Sequence, residues 1–347
     1  MTNILFKSLP VLLGTVALAA CGGAQSSSRE QIKAVGSSTV YPFAKAAAEE
    51  FARSYPQYPS PIIESTGTGG GINLFCAGVG VAHPDIANAS RRMKASEFET
   101  CQNNGVTDIV ELEVGMDGIA IASAADGLKL DLTPREFYQA IAARPFGEEN
   151  TAQNWNDINP AFPNQPILVY GPPPSSGTRD ALAELIMTAG CKTDDATAAL
   201  KDSNEEEYEA VCTEVRKDGK FVEQGENDNL IVQKLVANPQ AVGVFGYSFL
   251  EENAQRLHGQ PLGGVEPTYE NIASNAYPGA RPLYLYVKKQ HMDAVPGLKE
   301  YIQTWIENWG RDGMLTGRGM IASSDAVQAR TADAAKNLTP IDASVLK

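Results

Sequence analysis

At 347 residues, with 43% hydrophobic and 20% charged side chains, the chain has an ordinary globular composition and the length for two domain-sized cores. Its formal charge of -14 excludes broad electrostatic binding to nucleic acid. A small anionic ligand is not excluded, because net charge is screened beyond about 8–10 Å while backbone donors act inside a closed pocket.

Lys7 precedes an apolar run, Leu9 to Ala20, which has the length of a signal-peptide core and is too short for a comfortable membrane span. The run ends in Leu18-Ala19-Ala20-Cys21, which resembles the bacterial lipoprotein signal, with Cys21 as the lipidated residue. The alternative is a plain secretory signal whose cysteine is incidental. Residues 1–20 are therefore expected to be a signal peptide, and residues 21–30, "CGGAQSSSRE", a flexible tether. The expected location is exported and periplasmic, anchored to a membrane by lipid on Cys21.

Further along, residues 31–40 read as a strand and turn. A helix is predicted over Pro42 to Phe51, with Pro in its first turn and Phe43, Ala47 and Phe51 on one face. Short strands are predicted in "SPIIEST", "PDIANASRRM" and "QPILVYG", and a long one over Val110 to Ala124. "TPREFYQAIA" predicts a helix opened by a capping box of Thr133 and Glu136. "ENDNLIVQKLVANPQAVGVFGYSF" reads as helix, turn and strand, and "RPLYLYVKK" as a strand. Two helices are predicted in the tail, in "VPGLKEYIQTWIENWG" and over Ser324 to Lys336. Strands alternate with helices throughout, which predicts an α/β fold. The charged, weakly periodic stretch 191–225 reads as a surface insertion.

Cys76, Cys101, Cys191 and Cys212 remain after Cys21. An even number in an exported chain favours disulfides, and the sequence-local pairing is Cys76–Cys101 and Cys191–Cys212. A zinc site is the weaker alternative, since there is no CxxC spacing and only three histidines.

Three loops share one grammar. "GSSTV" (36–40), "GTGGG" (67–71) and "PSSGTR" (174–179) each follow a strand-like run, are rich in Gly, Ser and Thr, and open a helix. Helix N-termini carry unpaired N–H groups and partial positive charge, small residues let a ligand reach them, and hydroxyls add donors. Any one such loop is explained by ordinary capping. Three of them, flanked by Arg91, Arg92 and Arg179, point to an oxyanion site.

The ordered set "GSSTVYP", "GTGGG", "DIANASRRM", "DGIAIA", "SSGTRD" and "DNLIVQKLVANPQAVGVFGY" resembles the phosphate-binding proteins of bacterial phosphate ABC importers, over most of residues 32–340. The resemblance implies a bilobal periplasmic-binding-protein fold, two α/β lobes joined by two hinge strands near Val114 to Ala122 and Leu283 to Val287. Lobe one is then residues 31–113 plus 283–347, and lobe two 114–282. It also implies binding of inorganic phosphate, no cofactor or metal, a monomer, and delivery to the membrane permease subunits of an ABC importer. By position, the implied contacts are Ser38, Thr39 and Val40 from the first loop, Thr68 and Gly69 from the second, Ser90, and Ser176, Gly177 and Thr178 from the third.

Two departures bear on specificity. Well-known members have an Asp after the Ser of the "DIANAS"-like segment, where this chain has Arg91, and an Arg four residues before the Ser of "SGT", where it has Pro172. Arg179 is expected to replace that guanidinium, and Arg91 to touch the ligand. Phosphate near neutrality carries a proton and sulfate does not, so a carboxylate acceptor selects between them. Asp117 is the candidate acceptor, with a solvent-facing turn residue as its alternative; Asp228 is the weaker candidate, able instead to cap the next helix. Another oxyanion is the competing ligand. A secreted phosphatase or hydrolase finds little support: His83, His258 and His291 are scattered and read as surface or loop residues, and there is neither GxSxG nor HExxH.

Overall fold

In the computed structural model, residues 31–174, 176–225 and 228–346 are described. The signal segment, the tether and Cys21 lie outside them. The predicted alternation is present as strands β1 (Lys33–Gly36), β2 (Ile62–Ser65), β3 (Ile86–Ala89), β4 (Ile109–Ala124), β5 (Val169–Gly171), β6 (Phe221–Glu223), β7 (Val242–Gly246), β8 (Leu257–Gly259) and β9 (Ala280–Lys288). They form one curled sheet in the order β2-β1-β3-β9-β4-β7-β5-β6, with β8 also paired to β4. Pairings β1–β2, β1–β3, β5–β6 and β5–β7 are parallel, as the helical crossovers between them require. The joints between the two halves are antiparallel: β3–β9, β9–β4 and β4–β7.

Strand β4 is 16 residues long and serves both halves. Its first part pairs with β9, with a register shift between Glu113 and Gly115; Ile119 to Ala122 pair with β7. The apolar packing divides accordingly. Phe51, Ile86, Leu112, Leu285 and Trp305 pack on one face of the first half, and Ile72, Phe75, Ala87 and Tyr286 on the other. Ile121, Phe137, Trp155, Leu182 and Phe245 belong to the core of the second half. The result is two α/β lobes sharing a pair of long antiparallel strands.

The helices obey the patterns that predicted them. In helix Tyr41–Ser54 Phe43, Ala47 and Phe51 are buried, and Phe51 meets Tyr301 edge-on at 5.7 Å between ring centres. Burying an aromatic ring of this kind contributes about 2–3 kcal/mol. In helix Pro134–Ile141 the capping box is formed: Glu136 N–H donates to Thr133 Oγ1 (3.2 Å) and Thr133 N–H to Glu136 Oε2 (2.8 Å). Helices Leu298–Asn308 and Asp325–Asn337 account for the tail. Between them, residues 310–322 return to the joint of the lobes. Met116 and Ile321 exchange backbone hydrogen bonds (2.7 and 2.9 Å). Arg311 lies 3.9 Å over the ring of Tyr269, whose hydroxyl donates to the carbonyl of Ala322 (3.1 Å).

Both local disulfides, Cys76–Cys101 and Cys191–Cys212, are present. The stretch 191–225 holds helices Asp195–Ser203 and Glu205–Cys212, each capped by the side chain before it, Asp194 and Asn204. It also supplies β6, the edge strand beside β5. Its weak periodicity has a simple cause: Tyr208, Val211 and Cys212 are buried in the second helix and only Thr197 in the first.

Candidate functional site

The three hydroxyl-rich loops sit where their preceding strands end. Gly36 closes β1 at φ +138°, and a Cβ there would fall 2.1 Å from the carbonyl oxygen of Asn88, so only glycine lets β1 turn beside β3. Ser37 then takes the first donors of helix Tyr41–Ser54: Tyr41 N–H to its carbonyl (3.0 Å) and Val40 N–H to its Oγ (3.4 Å). The second loop turns at Gly67 into helix Thr68–Phe75. A Cβ on Gly71 would lie 2.4 Å from Gly36 Cα, so this helix starts flush against the first loop. Thr68 Oγ1 accepts from Ser90 N–H (3.1 Å) and lies 3.1 Å from Ser90 Oγ. The third loop enters helix Gly177–Ala181, and the Ser176 side chain caps it by accepting from Thr178 N–H (3.2 Å).

Loops distant in sequence meet. Ser38 Oγ donates to Asp180 Oδ2 (3.1 Å) across the joint of the lobes. A Cβ on Gly177 would lie 3.8 Å from Thr39 Cα. Beside the first loop stands Arg281, a residue the sequence patterns did not single out. It opens β9 in register with Asp117, and its side chain is 5% exposed. Arg281 Nε donates to Asp117 Oδ2 (3.0 Å), Nη2 to Thr39 Oγ1 (2.7 Å), and Nη1 to Glu184 Oε2. Thr68, Ser90, Arg91 and Arg281 line one cavity of about 490 Å³ between the lobes.

The two arginines expected at the ligand are held by carboxylates. Arg91 borders the cavity, but its guanidinium makes a forked pair with Glu97 (2.9 and 2.7 Å). Those hydrogen bonds raise the Arg91 pKa; on Glu97 burial pushes upward, and the bonds from Arg91 and the Lys94 backbone, with the charges of both residues, together hold the carboxyl low. A Cβ on Gly69 would lie 3.9 Å from Arg91 Nη2. Arg179 turns to the side of the third loop. It donates to the carbonyl of Pro172 (2.8 Å) and to Glu223 (3.3 Å), and lies 4.9 Å over the Phe221 ring. Burial lowers its pKa. The physical reason for this turn is β6: it brings Phe221 and Glu223 beside β5, within reach of Arg179.

Asp117 does not face solvent as a turn residue would; it lies within β4 and pairs with Arg281. Asp228 does not cap helix Asn229–Ala237 with its side chain, and accepts instead from Gly246 N–H (3.0 Å). Burial raises its pKa, opposed by that bond. His291 is buried rather than at the surface, with Nδ1 2.6 Å from Asp85 Oδ1. Among the described residues, no group of three or more His, Cys, Asp or Glu is placed to hold a metal ion. Also among them, no helix is long and apolar enough to cross a membrane.

Residues 23–308 match the PBP superfamily domain. The chain belongs to the PBP superfamily. Among curated relatives, protein SphX of Synechococcus elongatus is 30% identical over 294 residues, covering 82% of this chain and 76% of the relative. The phosphate-binding protein PstS of Staphylococcus saprophyticus is 29% identical, covering 86% of each chain. Among solved structures, a possible phosphate-binding protein from Planctomyces limnophilus superposes with a TM-score of 0.72 at 27% identity, covering 89% of this chain and 98% of that one. An ABC-type phosphate transport receptor from Vibrio cholerae has the same fold, with a TM-score of 0.58 at 21% identity and coverage of 84% and 99%. A PBP domain is a bilobal solute receptor, and the cleft around Arg281 lies between its lobes.

Proposed function

We propose that this PBP-superfamily chain binds inorganic phosphate in the cleft and delivers it, chemically unchanged, to the permease of an ABC importer. The observation that carries the reading is one buried guanidinium, Arg281, bonded to Thr39 at the start of one helix and sharing a cavity with Thr68 at the start of a second. A phosphate is a tetrahedral, multiply accepting anion, and it suits hydroxyls, helix N-termini and a forked cation in one desolvated space. The names of the Staphylococcus relative and of the Planctomyces structure support the same ligand.

In this reading Ser38, Thr39 and Val40, Thr68 and Gly69, Ser90, and Ser176 to Thr178 supply hydroxyl and N–H donors. Arg281, bonded to Asp117 and Glu184, supplies guanidinium N–H donors, and Arg91 and Arg179 brace the walls through Glu97, Pro172 and Glu223. Asp117 binds Arg281 through Oδ2, and its other oxygen is assigned to the proton that phosphate carries and sulfate lacks. The lobes are residues 31–113 with 283–347 and residues 114–282, hinged where β4 and β9 run together. The chain acts outside the cytoplasm, as a monomer held to a membrane through lipid on Cys21.

Calorimetric titration with phosphate and then sulfate tests the reading. Phosphate is expected to bind tightly and sulfate at least tenfold more weakly, about 1.4 kcal/mol or more. Equal affinities would show a site without a proton acceptor, and heat from neither anion would remove the ligand assignment.

A further inference from the structure

The stretch closed by Cys191–Cys212 reaches the cleft. Lys192, Lys201, Tyr208 and Glu209 line the same cavity as Thr68, Ser90 and Arg281. The stretch is held firmly to its lobe. Besides the disulfide, Thr197 Oγ1 donates to the Cys191 carbonyl (2.6 Å) and Tyr138 OH to the Val211 carbonyl (3.1 Å). Tyr208 is buried, and the Lys192 ammonium stands 6.0 Å from the centre of its ring.

Charge is sorted across this stretch. Residues 191–225 contain ten Asp and Glu against five Lys and Arg. Yet they present two lysines and a single glutamate to the cavity, and the opposite lobe adds Arg91, Arg92 and Lys94. Arg91 is neutralised by Glu97 and Arg92 by Glu111. No ion pair is described for Lys94, Lys192 or Lys201 among the described residues. Glu184 also lines the cavity and, with Asp117, pairs with Arg281; counting all of these, the surplus at the mouth is still cationic, in a chain whose formal charge is -14.

We propose that Lys192 and Lys201, facing Lys94 across the cleft, form a capture collar that draws a small anion past the acidic exterior and into the site. The proposal rests on the phosphate reading above and gives the insertion its role in that site. Charges lining a low-dielectric cleft focus the field and raise association rates, by roughly 10- to 1000-fold where the effect is full. They act over about a Debye length, ~8–10 Å at physiological salt, so the effect fades as salt is added. A residue that steers without touching the bound anion alters association and leaves dissociation unchanged.

The test is stopped-flow tyrosine fluorescence with inorganic phosphate on the full chain, comparing wild type, Lys192→Gln/Lys201→Gln and Lys192→Arg/Lys201→Arg. Both lysines are exposed, so neither variant disturbs the core. At low ionic strength the Gln variant is expected to associate about threefold or more slowly, with an unchanged dissociation rate, and the gap should close at about 0.5 M salt. The Arg variant should match wild type. Equal association rates at low salt overturn the collar while leaving the phosphate site standing. A change confined to dissociation also overturns it, making these lysines ordinary ligand contacts. Wild type that binds no phosphate overturns the collar together with the reading beneath it.

Discussion

Arg281→Gln is the substitution with the sharpest expectation. It removes a guanidinium whose side chain is 5% exposed, leaving behind Asp117 at 19% and Glu184 at 62% exposure. Removing one partner of a buried pair costs about 3–5 kcal/mol, because the other charge is stranded. Asp117 keeps partial access to water, which puts its share at the lower end, about 3 kcal/mol. The exposed Glu184 adds about 0–1 kcal/mol, and the lost bond to Thr39 about 1 kcal/mol. The ligand-free protein is therefore expected to lose about 4–5 kcal/mol in urea denaturation at neutral pH. Phosphate affinity should fall roughly 10- to 150-fold, the equivalent of one charge-assisted hydrogen bond. The double variant Arg281→Gln/Asp117→Asn removes the stranded charge as well, so its stability should equal or exceed that of the single variant. A loss below about 1 kcal/mol, or strict additivity of the two substitutions, would refute the claim that this pair is coupled in a desolvated joint.

Three other outcomes are expected. Asp117→Asn should narrow the preference for phosphate over sulfate in competition calorimetry; an unchanged ratio moves the proton acceptor elsewhere. Asp228→Asn should raise the melting temperature at pH 7. Burial lifts the folded-state pKa of Asp228 above its unfolded value, so the charged form costs stability above that folded pKa. The cost disappears as pH falls through it, and the variant's advantage should vanish in acid; a lower melting temperature at neutral pH contradicts the assignment. Replacing Cys191 and Cys212 together by Ala should cost about 3 kcal/mol, given the 21-residue separation, read by denaturation against wild type.

What the sequence revealed and what it hid divide along the range of the interactions involved. The capping box at Thr133 and Glu136, the amphipathic face of Phe43, Ala47 and Phe51, and the two local disulfides depend on residues a few to a few tens of positions apart. All are present. The Arg281–Asp117 pair spans 164 positions and depends on how β9 registers against β4, beyond a shift between Glu113 and Gly115. No local pattern encodes that register, so a lone Arg at the head of an apolar strand looked unremarked beside "SGTR". Arg179 was legible as a cation but not its direction, because β6 and its Phe221 lay inside a stretch read as a surface insertion. The same reading hid Lys192, in the turn after Cys191, and Lys201, in a helix that buries only Thr197 and so shows no face. His291 looked like a loop residue because its partner, Asp85, is 206 positions away.

The return of residues 310–322 to Met116 has a mechanical consequence. Two strands alone would let the halves swing like a page on its binding. The Met116–Ile321 pair and the stacking of Arg311 on Tyr269 add a strut on a third line. Any motion that parts the halves must therefore strain this third segment as well as the two strands.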